Sequence, residues 1–279
     1  MTGIVDVGGG MRGAYGAGIF DWCLDHNVTF DYLIGVSAGS ANIASFLAGQ
    51  KGRNYRFYTE YSFRKQYMSK RNLARKGSYL DLEYIYGDGL SNAGAEYPLD
   101  WEAVIHSGKI MKVVATDANT ALPIYYDMTD MTQDDYGAIK GSSGVPVINK
   151  PYEWKGRKLF DGGLSDPIPF QKAVDEGCDK VVIILTRPKN YWRDPKKDIR
   201  SSRLMSGKYP IAAEALANRS VVYNNELRRA LALEKEGKAL VLAPYSIDGM
   251  DTLTKDKSKV HRMYCLGLED AERIPAFLS

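Results

Sequence analysis

A chain of 279 residues with 37 basic and 34 acidic side chains carries a formal charge of only +3, too weak to imply a nucleic-acid partner. Its 44% hydrophobic and 25% charged residues exclude wholesale disorder, and no apolar run approaches the roughly 18 residues that a membrane span needs. The three cysteines, Cys23, Cys178 and Cys265, have the spacing of neither a disulfide framework nor a zinc ribbon, so no metal is expected and a reducing, cytoplasmic location is. The first residues, Met1-Thr2-Gly3, run straight into a strand rather than into an apolar leader, which points the same way.

Gly3-Ile4-Val5-Asp6-Val7 reads as a buried strand, followed at once by Gly8-Gly9-Gly10-Met11-Arg12-Gly13 and a helical pattern through Ala17, Ile19, Phe20, Trp22, Cys23 and Leu24. A glycine loop between a strand and a helix N-terminus presents converging backbone N–H groups, which suits a phosphate or an oxyanion. The spacing also fits a dinucleotide loop. However, the acid that meets a ribose belongs at the C-terminal end of the second strand, and there the chain has Gly35-Val36-Ser37, with Asp31 at the strand's beginning. No Lys-Ser/Thr pair supports a P-loop.

The second strand, Leu33-Ile34-Gly35-Val36, ends in Gly35-Val36-Ser37-Ala38-Gly39 and leads into the helical Ala41 to Leu47. A strand, sharp turn and helix would expose the Ser37 hydroxyl at a helix N-terminus, where free N–H groups favour developing negative charge. Gly35 and Gly39 would let strand and helix cross closely. The plain alternative is a structural turn without chemistry.

Residues 51–76 interleave Arg53, Arg56, Arg64, Lys65, Lys70, Arg71, Arg75 and Lys76 with Tyr55, Phe57, Tyr58, Tyr61, Phe63 and Tyr67. That mixture suits peripheral contact with an anionic membrane surface; the alternative is a helix with an aromatic core face and a solvated basic face. Residues 77–100 read as a loop-like rim or cap. Met111–Asp117 and Leu122–Asp127 predict two strands, Gly141-Ser142-Ser143-Gly144-Val145-Pro146 a small-residue turn, and Trp154 to Phe160 a hairpin leading to Asp161-Gly162-Gly163. Lys180 to Thr186 is an apolar run fit for the centre of a parallel sheet, and Pro188 to Lys208 a polar, basic connection. A long helix over 210–236 closed by Gly237, a strand over 239–244 and a terminal helix from Glu269 follow. The alternation predicts a three-layer α/β/α sandwich around a mostly parallel sheet. Residues 1–279 are expected to form one domain, with a motif-bearing core at 3–170 and a C-terminal portion at 180–279.

A serine needs a group to take its proton. His26 ends a helix, His106 has no distinctive surroundings, and His261 is the best histidine, because the order Ser, acid, His is that of an α/β-hydrolase triad. Asp161 is the other candidate: a carboxylate in a water-poor pocket is more basic than in solution, although Asp-Gly-Gly is also a common turn anchor.

Taken together and in order, Gly8-Gly9-Gly10-Met11-Arg12-Gly13, Gly35-Val36-Ser37-Ala38-Gly39 and Asp161-Gly162-Gly163 resemble the motifs of the patatin-like phospholipase family, over about residues 3–170. Ser142-Ser143-Gly144-Val145-Pro146 resembles a further family motif, with Gly141 where alanine is usual. The resemblance implies Ser37 as nucleophile, Asp161 as general base, and Gly8, Gly9 and Gly10 as oxyanion hole. Arg12, Gly13, Gly35, Gly39, Gly162 and Gly163 would support them. It further implies a patatin-like fold, no cofactor, and hydrolysis of carboxylic esters in phospholipids, lysophospholipids or related acyl esters. A non-catalytic lipid- or phosphate-binding protein and a histidine-triad hydrolase stay open as alternatives.

Overall fold

The computed structural model describes all 279 residues. Its eight strands are β1 (Thr2–Asp6), β2 (Tyr32–Val36), β3 (Ile110–Asp117), β4 (Pro123–Asp127), β5 (Tyr152–Trp154), β6 (Arg157–Asp161), β7 (Lys180–Ile184) and β8 (Ala239–Leu242). The helices up to the middle of the chain are α1 (Ala14–Asp25), α2 (Ala38–Leu47), α3 (Arg53–Thr59), α4 (Lys70–Lys76), α5 (Leu82–Tyr86), α6 (Trp101–Ile105) and α7 (Gly137–Ser142). Then come α8 (Phe170–Asp175), α9 (Pro195–Ser202), α10 (Pro210–Lys235), α11 (Lys257–Ala271) and α12 (Ile274–Leu278).

All eight strands form one sheet, connected neighbour to neighbour as β5-β6-β3-β2-β1-β7-β8, with β4 also on β3. The pairs among β3, β2, β1, β7 and β8 are parallel, and those involving β4, β5 and β6 antiparallel. Strands buried on both faces explain the unbroken apolar runs in β1, β2 and β7. Because side chains alternate along a strand, Ile4, Leu33, Val182 and Ile184 enter one core with α1, α2 and α11. Val5, Ile34, Val181 and Ile183 enter the other, with α8 and α10. The expected three layers are present. β7 is interior, as its apolar run requires, but stands second from the β8 edge rather than at the centre.

Two helices depart from expectation at their starts. α11 begins at Lys257, well before Glu269, because Asp256 caps it by accepting from the Ser258 and Lys259 amides. It crosses α1 at close range: a Cβ on Gly267 would stand 2.0 Å from the Tyr15 carbonyl oxygen, and one on Gly18 2.1 Å from that of Tyr264. α6, unmarked in the sequence reading, is capped by Asp100 and buries Trp101.

The register around β3 decides what meets what. β4 pairs with Lys112 to Thr116 and so covers one edge of β3. The other edge is shared end to end: β2 pairs as far as Val36 with Val114, and β6, running the opposite way, ends with Asp161 opposite Ala115. The C-terminal ends of β2 and β6 therefore converge, and Ser37 and Asp161 are the residues at those ends.

Candidate active site

Ser37 occupies the turn between β2 and α2 with φ 55° and ψ −129°, a region that side chains other than glycine rarely enter. The strain falls on the serine itself. Gly35 and Gly39 have ordinary φ and are needed for clearance: a Cβ on Gly35 would meet the Ser40 backbone at 2.6 Å, and one on Gly39 the Asp6 carbonyl oxygen at 2.3 Å. The turn is held from below by Ser142 on α7. Its buried hydroxyl accepts from the Ser37 N–H at 2.7 Å and donates to the Val114 carbonyl at 2.6 Å. The small-residue stretch at 141–146 thus locks the elbow to β3.

Asp161 is buried, and its Oδ1 accepts from the Gly163 N–H at 2.8 Å. The chain after it passes over the end of β3. A Cβ on Gly162 would lie 2.2 Å from the Val114 carbonyl oxygen, so only glycine lets the turn lie flat. Burial lifts the Asp161 carboxyl above the ordinary carboxylate range. Arg219, the Ser37 hydroxyl and the Gly163 amide pull it down without cancelling that rise.

The glycine loop has divided duties. Gly8, Gly9 and Gly10 all have positive φ. The Gly8 N–H donates to Asp6 Oδ1 at 2.9 Å, which takes it out of the expected oxyanion hole and gives it a loop-shaping role. Asp6 is itself wholly buried, held by the Asn42 amide and pushed up to about 6 by burial. The Gly9 and Gly10 N–H groups have no partner within the chain, and both residues line the cleft that holds Ser37 and Asp161. Gly13 gives clearance, since a Cβ there would stand 2.4 Å from the Tyr58 hydroxyl.

Ser37 opens onto two unlike spaces. One is an apolar channel walled by Met11, Ala41, Phe57, Tyr67, Leu82 and Ile85. The other is a cleft of about 310 Å³ that contains Asp161 together with Arg12, Arg187, Arg193, Lys197 and Arg219. Residues 77–100 supply α5 to the channel wall, so they form the expected rim.

The basic-aromatic segment at 51–76 turns its aromatic face inward and leaves most of its basic side chains exposed. Phe57, Tyr58, Tyr61 and Tyr67 are buried, as is Arg53, whose guanidinium donates to Ser45, Ser91 and the Tyr97 carbonyl. Arg56 and Arg64 pair with Glu60 and Glu96. No histidine borders either space. His26 stacks on Trp22, His106 contacts the Glu102 carbonyl, and His261 meets Tyr55 and Cys265.

No sequence motif marks Arg187, Arg193 or Arg219 as site residues. Arg187 follows the end of β7, and β7 lies beside β1, so the chain after it faces the glycine loop. Arg219 lies on α10 one turn before Tyr223 and two before Glu226, on the face turned to the sheet.

A family profile described as patatin-like phospholipase matches residues 7–174, more than half of the chain. The chain belongs to the patatin-like phospholipase family. The match runs from the end of β1 into α8 and takes in the glycine loop, the serine elbow and Asp161. A second profile, described as a domain of unknown function, DUF6363, matches residues 209–276, which hold α10, β8 and α11. Over 198 residues, 69% of this chain, there is 27% identity to the uncharacterized protein YjjU of Escherichia coli strain K12. That alignment takes in 54% of YjjU, so this patatin-like chain spans about half the length of that relative. VipD from Legionella pneumophila is similar at 13% identity with a TM-score of 0.49, over 98% of this chain and 66% of the VipD chain. No helix is long and apolar enough to cross a membrane.

Proposed function

We propose that this patatin-like chain is a serine hydrolase that cleaves carboxylic ester bonds of phospholipids, lysophospholipids or related acyl esters through a Ser37–Asp161 dyad. The observation that carries the reading is the convergence of three features on one point: a serine held at positive φ, a buried carboxylate with raised proton affinity, and two amides without partners.

In the proposed cycle the Ser37 oxygen attacks the ester carbonyl carbon as its proton passes to Asp161. The tetrahedral oxyanion accepts from the Gly9 and Gly10 N–H groups, donors that are fixed before the charge appears. Collapse breaks the bond to the alcohol, whose oxygen takes the proton back from Asp161, and leaves an acyl ester on Ser37. Water then attacks that ester, again giving its proton to Asp161. The second collapse returns the proton to Ser37 and frees the fatty acid. The apolar channel would hold the acyl chain.

Two wider expectations belong to the same proposal. Three free cysteines suit a cytoplasmic setting. Peripheral contact with an anionic membrane narrows from residues 51–76 to α4, where Lys70, Arg71 and Arg75 are exposed beside Leu73.

A fluorophosphonate ester probe followed by peptide mass spectrometry tests the dyad. The adduct is expected on Ser37, with labelling slowed at least about 10³-fold in Asp161→Asn and unchanged in His261→Ala. In the wild type the labelling rate is expected to fall with acid through a pKa above the ordinary carboxylate value of about 4, because Asp161 must be ionised to act. Labelling that ignores Asp161 but fails in His261→Ala would replace the dyad with a histidine triad.

A further inference from the structure

The basic side of the cleft is unusual for what it lacks. Arg12 is only 5% exposed, yet its Nε and Nη1 have no hydrogen-bond partner, and neither has Nε of Arg219. Arg193 is held in a fork by Asp198 at 2.6 and 2.8 Å, whereas Arg12, Arg187 and Arg219 have no carboxylate ion-pair partner. The cleft's other acids are spoken for. Asp194 caps α9, Asp251 accepts from the Leu253 amide, and Asp161 faces Ser37.

Leaving guanidinium donors buried and unpaired costs a folded protein several kcal/mol in the general case, about 1–3 for each group. Here the charges also oppose one another. Burial first, then the positive neighbours Arg187 and Arg193, press the Arg12 guanidinium down to about 9, and burial and Arg193 lower that of Arg219. Three arginines without a carboxylate in ion-pair reach line one side of an open cleft, and an anion there would supply the missing partner.

The neighbouring aromatic rings narrow the choice of anion. A quaternary ammonium headgroup needs an open aromatic face, but of the two rings that line the cleft Arg187 already covers Tyr191 at 4.2 Å from the ring centroid, and Tyr223 packs edge to face against Tyr191 at 6.0 Å. No free carboxylate replaces them. A phosphate monoester, by contrast, offers up to two charges and three terminal oxygens to arginine forks.

We propose that Arg12, Arg187 and Arg219 form a subsite for the terminal phosphate monoester of an acyl-ester lipid bound across Ser37, with Arg193 and Lys197 at its rim. This rests on the serine-hydrolase reading for the lipid part of the ligand. The acyl chain would enter the apolar channel, the scissile ester would lie at Ser37, and the phosphate would reach the arginines. Lipids with a bare phosphate headgroup are then preferred over choline lipids and over glycerides without phosphate.

The test has a kinetic and a binding arm. Rates on lauroyl lysophosphatidate, lauroyl lysophosphatidylcholine and monolauroylglycerol, which share one acyl chain, are compared in wild type and Arg187→Gln. The wild type is expected to favour lysophosphatidate by about tenfold or more in kcat/KM, and Arg187→Gln to bring the ratio to monolauroylglycerol close to one. His106→Ala, at an exposed site remote from the cleft, is expected to keep the wild-type ratio. In calorimetry on Ser37→Ala, dodecyl phosphate is expected to bind at least about tenfold more tightly than inorganic phosphate, and to weaken by a similar factor when Arg187→Gln is added.

Equal rates on the three lipids in wild type, or a ratio that Arg187→Gln leaves untouched, would overturn the subsite. Dodecyl phosphate binding no tighter than inorganic phosphate would also overturn it, since the site would then take free phosphate. Binding of dodecyl phosphate that depends on Arg187, with no ester hydrolysed, would uphold the phosphate site and refute the hydrolase reading. Hydrolysis without any Arg187 effect would do the reverse.

Discussion

The two spaces that meet at Ser37 differ in almost every physical respect. The apolar channel is built mainly from residues between Met11 and Tyr86, and the terminal nitrogens of its buried Arg53 donate to Ser45, Ser91 and the Tyr97 carbonyl while its Nε has no partner. The basic cleft draws Arg12 from the same half of the chain, but takes Arg187, Arg193 and Arg219 from beyond Asp161. One wall engages both terminal nitrogens of its cation, and the other leaves Arg12, Arg187 and Arg219 without a carboxylate ion-pair partner. An amphipathic ester would therefore be read twice: its chain by area removed from water, at roughly 25 cal/mol per Å², and its headgroup by charge. Ser37, the proposed nucleophile, lies where the two readings join.

The sharpest way to break both readings at once is to disturb the proposed oxyanion donors, which would serve either class of substrate. A methyl on Gly10 would come 2.2 Å from the Thr252 carbonyl oxygen at a positive φ, so Gly10→Ala must shift the loop and its amide. We expect kcat to fall by about 10²–10³ on phosphate-bearing and neutral esters alike, measured in steady-state assays on folded protein. Loss on one substrate class alone would show that the loop serves a headgroup and not the oxyanion.

A smaller change should separate the walls. Ala41 lines the channel from α2 and is absent from the cleft. Ala41→Phe would fill channel space, and each methylene that can no longer be buried forfeits about 0.8 kcal/mol. The ratio of kcat/KM for a palmitoyl ester to that for a butyryl ester is expected to fall by about tenfold, while the preference for phosphate is retained. A fall in phosphate preference with no change in chain-length preference would show that the chain lies elsewhere.

Much of this was legible in the sequence, for reasons that can be located. Strands buried on both faces read as apolar runs at β1, β2 and β7, and the elbow announced itself because glycines at 35 and 39 are the only residues that clear Ser40 and Asp6. What stayed hidden depends on contacts between distant segments. Tyr58 and Tyr61 alternate with arginines as a membrane-facing helix would, and only the packed structure shows them enclosed. Gly8 looks like its two neighbours until Asp6 takes its amide. Arg219 sits in an ordinary helical pattern, and nothing local says that α10 lays it over Gly163, where a Cβ would stand 2.9 Å from its Nη2.

The same helix carries the mildest test of how the two walls are joined. Seven residues after Arg219, Glu226 accepts from the Ile168 amide at 2.8 Å and faces Asp166, which in turn accepts a 2.5 Å hydrogen bond from the Tyr125 hydroxyl. Burial first and the Asp166 charge second push Glu226 up to about 9. The folded protein thus holds a proton on Glu226 that the unfolded chain releases near the ordinary glutamate value of about 4.3. By linkage, stability from this pair is greatest below that value and declines as pH rises toward 9. Glu226→Gln keeps an acceptor for Ile168 and a donor for Asp166 without a charge to lose. Its melting temperature is expected to match wild type at pH 5 and to exceed it at pH 9 by about 2–4 °C for each kcal/mol of repulsion removed. A variant that melts below wild type at both values would mean that the pair is an ionised contact, and that the loop after Asp161 is fastened to α10 by some other bond.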